Sequence, residues 1–436
     1  MGSARRTAAL LAALAAVTTG LAACGSDGSG PKQASSPTVL RLWHYEGPDS
    51  AMGKAWDEAI KEFENKHPGV KVKFEEKGFE QIQKSAQMVL NSDEAPDLME
   101  YNKGNATAGL LSKQGLLTDM TSEVTKRGWD KQLSPSLQTT CKYDDRGVMG
   151  GDKWFGVPNY AEYAMVYYNK DLFAQHGVEV PTTLDELTAA MDKFVAAGVT
   201  PLAMGGKEYP AQQLFYQLAL SKADSEWVNN LQQYKGKVDF HDDAWTYGAE
   251  TFADWVKKGY VSKDSAGIDA EGMGLAFMKG EFPMMVSGSW WYGRVQSTVK
   301  DFEWDSFLFP GSDMTLGSSG NIWVVPEKSK NKELAYDFID ITMSKANQTL
   351  LGNSGGIPVA ADPASITDPK SKTLIENYQT LVDRDGLAFY PDWPAPGYYD
   401  VLVSATQKLI NGTATPDQVL DEIAGPYEEN LANVGG

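Results

Sequence analysis

Between Val39 and Tyr101 the hydrophobic period of the chain switches repeatedly, and few folds can absorb that pattern. VLRLWHY (39–45) is an apolar run of strand length. A helical stripe follows, with Met52, Trp56, Ala59, Ile60 and Phe63 on one face and Asp49 or Ser50 placed to cap it. His67, Pro68 and Gly69 end that helix. VKVKF (70–74) then alternates, with Val70, Val72 and Phe74 on one side. A second stripe, Phe79, Ile82, Ala86, Val89 and Leu90, leads through Pro96 and Asp97 into DLMEY. Strands joined by helical crossovers lie side by side and point the same way, so this order predicts an α/β fold with mostly parallel sheets. Such sheets bind ligands beyond the carboxyl ends of their strands. Those ends are Trp43, His44, Tyr45 and Glu46 for the first strand, and Tyr101, Asn102 and Lys103 for the third.

At 436 residues the chain exceeds one ordinary domain. A second unit of similar grammar follows Gly150 and Gly151. Trp154 to Pro158 is a short extended crossing segment, and AMVYYN (164–169) is a strand. Thr183 to Glu186 form a capping box that opens a helix with Leu187, Met191 and Phe194 inward. VTPLAM, WDSFLF and NIWVV are strand-like, with GSSGN between the last two. Helices are expected at 211–222, 242–259, 331–344, 371–383, 398–410 and 416–430, the last with Thr415 as N-cap and Pro416 at the first helical position.

The segment FMKGEFPMMVSGSWWYGR (277–294) concentrates the aromatic signal. A helix ends at Lys279 and Gly280, a short apolar strand follows, and Trp290, Trp291 and Tyr292 come at once after Ser287, Gly288 and Ser289. Three large rings beyond a strand end either plug a core between two layers or face a cleft.

Charge narrows the partners. A formal net charge of -19 argues against nucleic acid and against electrostatic binding to anionic lipid. Twelve tryptophans exceed what a surface would carry idly, and the excess points to a ligand platform, while plain core filling covers most of them. No GxGxxG, phosphate-binding loop, GxSxG elbow, HExxH or CxxC occurs. The four histidines, His44, His67, His176 and His241, are scattered, so neither a zinc site nor a cofactor is implied.

The amino terminus addresses the chain outward. Arg5 and Arg6 precede an apolar run from Ala8 to Val17 that is too short to span a bilayer as a mature helix. Leu21, Ala22, Ala23 and Cys24 resemble the lipobox of bacterial lipoproteins. That resemblance implies a signal peptide at 1–23, lipidation of Cys24 and a flexible Gly/Ser/Pro tether at 24–38. An ordinary signal peptide with a chance cysteine is the alternative. Cys141 stands alone and is assigned no role.

Several longer segments, taken together, resemble one family. They are GVPNYAEYAMVYYNKDLFAQHGVEVPTTLDEL (156–187), FMKGEFPMMVSGSW (277–290) and NKELAYDFIDITMS (331–344). In order and spacing they are similar to the extracellular solute-binding proteins of carbohydrate ABC importers, the family of maltose-binding protein. The resemblance implies a type II periplasmic-binding-protein-like fold, with two α/β lobes joined by crossing strands at a hinge and sugar held between them. Lobe one would be 38–155 plus 318–350, and lobe two 156–317 plus 351–436. The family's cleft positions map onto Trp290, Tyr160, the strand end Trp43, His44, Tyr45 and Glu46, and the glycine-rich segment with Ser319 and Asn321. The implied protein is lipid-anchored outside the cell and monomeric, and passes its ligand to the membrane subunits of an ABC permease.

Residue chemistry adds candidates. Sugar rings offer apolar faces to indoles and phenols, and a rim of hydroxyls to carboxylates and amides. Trp393 in the proline-stiffened YPDWPAPGYY (390–399), Trp291, Glu80, Asn102, Glu162, Arg294 and Asp392 fit those roles. Each has a plainer reading: core packing for Trp291, a surface loop for Trp393, a solvated loop or a cap for the acids, and simple pairing with an acid for Arg294. The number of rings favours a di- or oligosaccharide. Glu46, Glu162 and Asp392 also leave open a secreted glycoside hydrolase or lyase, which needs two carboxyl groups about one sugar. A third reading is the same fold binding a non-sugar solute.

Overall fold

The computed structural model describes residues 38–434, so the leader, the tether and Cys24 lie outside the described residues. The opening alternation folds as its periods require. Strand β1 (Thr38–His44), helix α1 (Ala51–Lys66), strand β2 (Val70–Glu76), helix α2 (Phe79–Leu90) and strand β3 (Leu98–Tyr101) follow in order. Ser50, not Asp49, caps α1, its Oγ accepting from the Gly53 N–H at 2.8 Å. The helix closes with His67 N–H on the Phe63 carbonyl, and Gly69 then takes a φ of 90° that a side chain would resist.

β1 pairs in parallel with both β2 and β3. Beyond β3 the sheet continues through Ile322–Val324 and then Val157–Pro158. Ile322–Val324 is antiparallel to both neighbours, so one strand of five runs against the rest. Pro158 sits on the edge strand, where a missing N–H costs no ladder bond. The second sheet has the order Trp304–Phe307, Ala161–Asn169, Met284–Gly288, Leu202–Ala203. Here too a single strand, Ala161–Asn169, opposes the others. The parallel expectation thus holds for direction, with one reversed strand in each sheet.

Three passages link the two sheets. The chain leaves the first at Pro158 and enters the second at Ala161. It returns between Gly317–Ser319, which pairs with residues 161–163, and Ile322–Val324. These two passages are tied by the Gly320 N–H, which donates to the Tyr160 carbonyl at 2.7 Å. The third runs from helix Lys345–Asn353, packed on α1, past Ile357, whose carbonyl accepts from Ala161 N–H, to helix Pro369–Asp383.

Gly317–Ser319 is a strand where sequence patterning shows only a link. Its small residues carry no alternation, and pairing with Ala161–Asn169 supplies what propensity does not. Helices Ser225–Gln233 and Lys345–Asn353 lie outside the expected set: the first is short and mostly polar, with only Val228 and Leu231 as buried aliphatics, and the second lacks a strong apolar stripe. Among the described residues, no helix is long and apolar enough to cross a membrane.

Candidate ligand-binding site

A cavity of about 450 Å³ lies where the ends of both sheets meet, within the usual range for small-molecule sites. The end of β1 delivers Tyr45 and Glu46, and the end of β3 delivers Asn102 and Lys103. The two passages contribute Tyr160, Glu162 and Asn321. The strand end after Gly288 contributes Trp290, Trp291 and Arg294, and the proline-held loop adds Tyr390, Asp392, Trp393 and Tyr399.

Glycines make room for the large rings. A Cβ at Gly288 would lie 1.9 Å from the Trp290 ring, one at Gly320 2.2 Å from Tyr160, and one at Gly104 2.6 Å from Trp393. Gly288 thus lets the Trp290 indole fold back over its own strand end. There the ring meets Tyr209 edge-on at 5.7 Å and lies 6.1 Å from Tyr390. Trp291 is buried, with Gly274 beneath it and the Arg294 guanidinium 5.1 Å above. It is both core and wall.

The polar floor is a buried network. Lys103 Nζ meets Glu162 Oε1 at 2.5 Å and donates to Asn321 Oδ1 at 3.3 Å. Its ammonium also lies over the rings of Trp393 and Tyr390, at 5.2 and 5.5 Å. Asn321 Nδ2 donates to the Tyr160 hydroxyl at 3.1 Å, and that hydroxyl reaches Glu46 Oε1 at 3.5 Å. Ser50, besides capping α1, donates its hydroxyl to Glu46 Oε2. Burial raises the Glu162 carboxyl, and the Lys103 charge opposes that rise. Burial also pushes Asp392 up to about 6.

Glu46 is pushed up to about 7, chiefly by burial, with the Glu162 charge adding to it. A folded value above the unfolded carboxylate value means the folded state holds its proton longer. Stability therefore falls as pH rises from about 4.5 to about 7, by up to about 3 kcal/mol for this group. Glu46→Gln is expected to flatten the decline of Tm over that interval. An unchanged slope in thermal melts of the variant would show that Glu46 is not held in this buried state.

The cavity wall brings together Trp290, Tyr160, Trp393, Trp291, Tyr45, Glu46, Asn102, Glu162, Arg294, Asn321 and Asp392 from the sequence candidates. Four others lie beside it. Trp43 turns away and is covered by the Lys77 ammonium, 4.9 Å from its ring. His44 is buried and stacked on Phe74 at 3.9 Å. Burial lowers it to about 3, so its neutral ring accepts the Glu46 N–H on Nδ1. Glu80 pairs with Lys84 one turn along α2, and Ser319 shares a 2.7 Å hydroxyl contact with Thr140. Arg294 is paired as its plainer reading held, bidentate to Glu271 with both contacts at 2.6 Å and to Asp49 at 2.7 Å. Since Asp49 precedes α1, this pair bridges the cavity mouth.

Sequence patterning named Lys103 only as part of a strand end and Phe79 only as part of a helical stripe, and did not single out Tyr209, Gln212 or Gln213; all five line the cavity. The one legible sign was a pair of glutamines in the first turn of the otherwise apolar helix Ala211–Leu220. Among the described residues, no group of three or more His, Cys, Asp or Glu side chains could hold a metal ion.

The sequence model of the bacterial extracellular solute-binding proteins matches residues 47–349. A probable sugar-binding periplasmic protein of Mesorhizobium japonicum is 26% identical over 255 residues, covering 57% of this chain and 58% of that one. The match thus spans little over half of that relative's length. An uncharacterized ABC transporter extracellular-binding protein of Pyrococcus horikoshii is 23% identical over 375 residues, covering 81% of this chain and 80% of its own. Among solved structures, a chitin oligosaccharide binding protein superposes with a TM-score of 0.77 at 21% identity, over 91% of this chain and 99% of that one. That likeness establishes the two-lobed α/β fold.

Proposed function

The chain belongs to the bacterial extracellular solute-binding proteins, and from that membership we propose that it captures a di- or oligosaccharide in the cleft and delivers it to an ABC permease. Lipid on Cys24 holds it at the outer face of the cell membrane, and it acts as a monomer. Lobe one comprises 38–158 plus 322–353 and lobe two 161–319 plus 369–434; bounds at 155 and 318 would part Val157–Pro158 from the first sheet and Ser318 and Ser319 from the second. Sugar contacts from both lobes favour the closed arrangement, because only there are all of them made at once.

The observation that carries this reading is the composition of one cavity wall. Indole and phenol rings, Trp290, Tyr160 and Trp393, stand around carboxylates and amides, Glu46, Glu162, Asp392, Asn102 and Asn321. Rings suit the C–H faces of a pyranose, and the carboxylates and amides suit its hydroxyl rim. The sugar-binding description of the Mesorhizobium relative supports the same class of ligand.

Calorimetric titration of the chain from residue 24 onward against a panel of mono- to tetrasaccharides tests it. Saturable heat is expected with at least one sugar, and the sugar should be recovered unchanged after long incubation. Silence across the panel overturns the proposal, and released reducing ends would replace it with a hydrolase or lyase.

A further inference from the structure

The cavity wall is unbalanced in charge. Glu46, Asp49, Glu76, Glu162, Glu271 and Asp392 line it against two cations, Lys103 and Arg294. Arg294 is fully engaged by Glu271 and Asp49, and Lys103 by Glu162. Glu46 and Asp392, both buried, form no ion pair among the described residues and feel only the Lys103 charge, which Glu162 already engages. Behind them Glu100 is wholly buried, and neither of its oxygens accepts a hydrogen bond. The Trp56 indole N–H lies near Glu100 but outside hydrogen-bond geometry. Removing an ionised carboxylate from water costs several kcal/mol unless a counter-charge stands close by.

Two further features favour a positive guest. Lys103 already uses the faces of Tyr390 and Trp393, while Trp290 and Tyr209 line the wall with no cation against them. Aromatic faces attract cations through their negative quadrupole, most strongly when water is excluded. Gln212 is also fully buried in the wall, and both of its amide atoms lack a partner, so its carbonyl is available to an N–H donor. A neutral sugar would satisfy hydroxyl-accepting sites but bring no charge to Glu46 and Asp392.

We propose that the sugar taken by this cleft carries a basic amine, bound as the ammonium, with Glu46 and Asp392 as its counter-charges and Trp290 and Tyr209 as its aromatic wall. This rests on the sugar-binding reading above and narrows it to amino sugars or amine-bearing oligosaccharides.

The test uses matched pairs that differ only in charge. Glucosamine, galactosamine and mannosamine sugars of one to four residues are titrated calorimetrically into the chain from residue 24 onward, beside their N-acetylated counterparts and neutral sugars of equal length. At least one amine sugar should bind tenfold or more tighter than its N-acetylated partner. In folded Glu46→Gln and Asp392→Asn variants, checked by circular dichroism, that ratio should shrink to within about threefold. Neutral or N-acetylated sugars binding as tightly as the amines would overturn this proposal and leave the sugar-binding function intact. A preference unchanged in both variants would also overturn it. Absence of binding by every sugar would remove both readings.

Discussion

Trp290→Ala is expected to weaken sugar binding by about 2 kcal/mol or more, roughly thirtyfold in Kd, while leaving the fold standing. Trp290 lines the cavity, half-buried between Tyr209 and Tyr390, and its indole N–H has no partner among the described residues. That nitrogen is itself buried, so what the ring offers a guest is its face. Its neighbour Trp291 supplies the contrast. That ring is buried against Gly274, so Trp291→Ala should cost about 3–5 kcal/mol of stability as a core truncation. Gly288→Ala forms a third arm. An added Cβ 1.9 Å from the Trp290 ring must displace it, and binding should fall although no wall residue is changed. Calorimetry and thermal melts on the three variants separate these effects. Undiminished affinity in Trp290→Ala would remove that ring from the binding site.

Lys103→Met should cost about 3–5 kcal/mol of folding stability, because it strands the Glu162 carboxylate in the interior. The side chains of the pair are only 2% and 5% exposed, so water offers Glu162 little compensation. The loss must depend on pH. Burial already raises the Glu162 carboxyl and Lys103 restrains that rise, so without Lys103 the group holds its proton to higher pH. A carboxyl whose folded value lies above its unfolded one costs stability as pH climbs past the unfolded value. The variant should therefore be weakest in alkaline buffer and recover toward acid. Adding Glu162→Gln should restore much of the loss, since both charges are then gone. Urea unfolding at pH 5 and pH 8 reads both effects. An equal loss at the two pH values, with no recovery in the double variant, would show that the pair is not a buried ion pair.

Much of the site was legible because it lies next in the chain to features with a local signature. Tyr45 and Glu46 follow a recognisable strand, Asn102 follows another, and Trp290 and Trp291 follow Met284–Gly288. The same adjacency also misled. Trp43 and His44 adjoin Tyr45 and Glu46, yet only the latter two reach the cavity, because β1 ends at His44: the two residues past it run beyond the sheet edge, while Trp43 and His44 are held within the strand against Lys77 and Phe74. Which face is buried by a helix and which opens on the cleft is set by layers distant in sequence.

The amino-acid sequence by itself determined the alternation of strands and helices, the glycine-ended strand that releases two tryptophans, and the acidic, aromatic character of the chain that limits what it binds. Each follows from period, propensity or composition, which act within a few residues. Only the tertiary structure decided that Lys103 would neutralise Glu162 while Glu46 and Asp392 went unmatched. It alone made Gly317–Ser319 a strand and brought Tyr209 and Gln212 to the wall. The reason is physical: pairing of charges and of backbone across the molecule depends on separations that folding sets, and no local period records them.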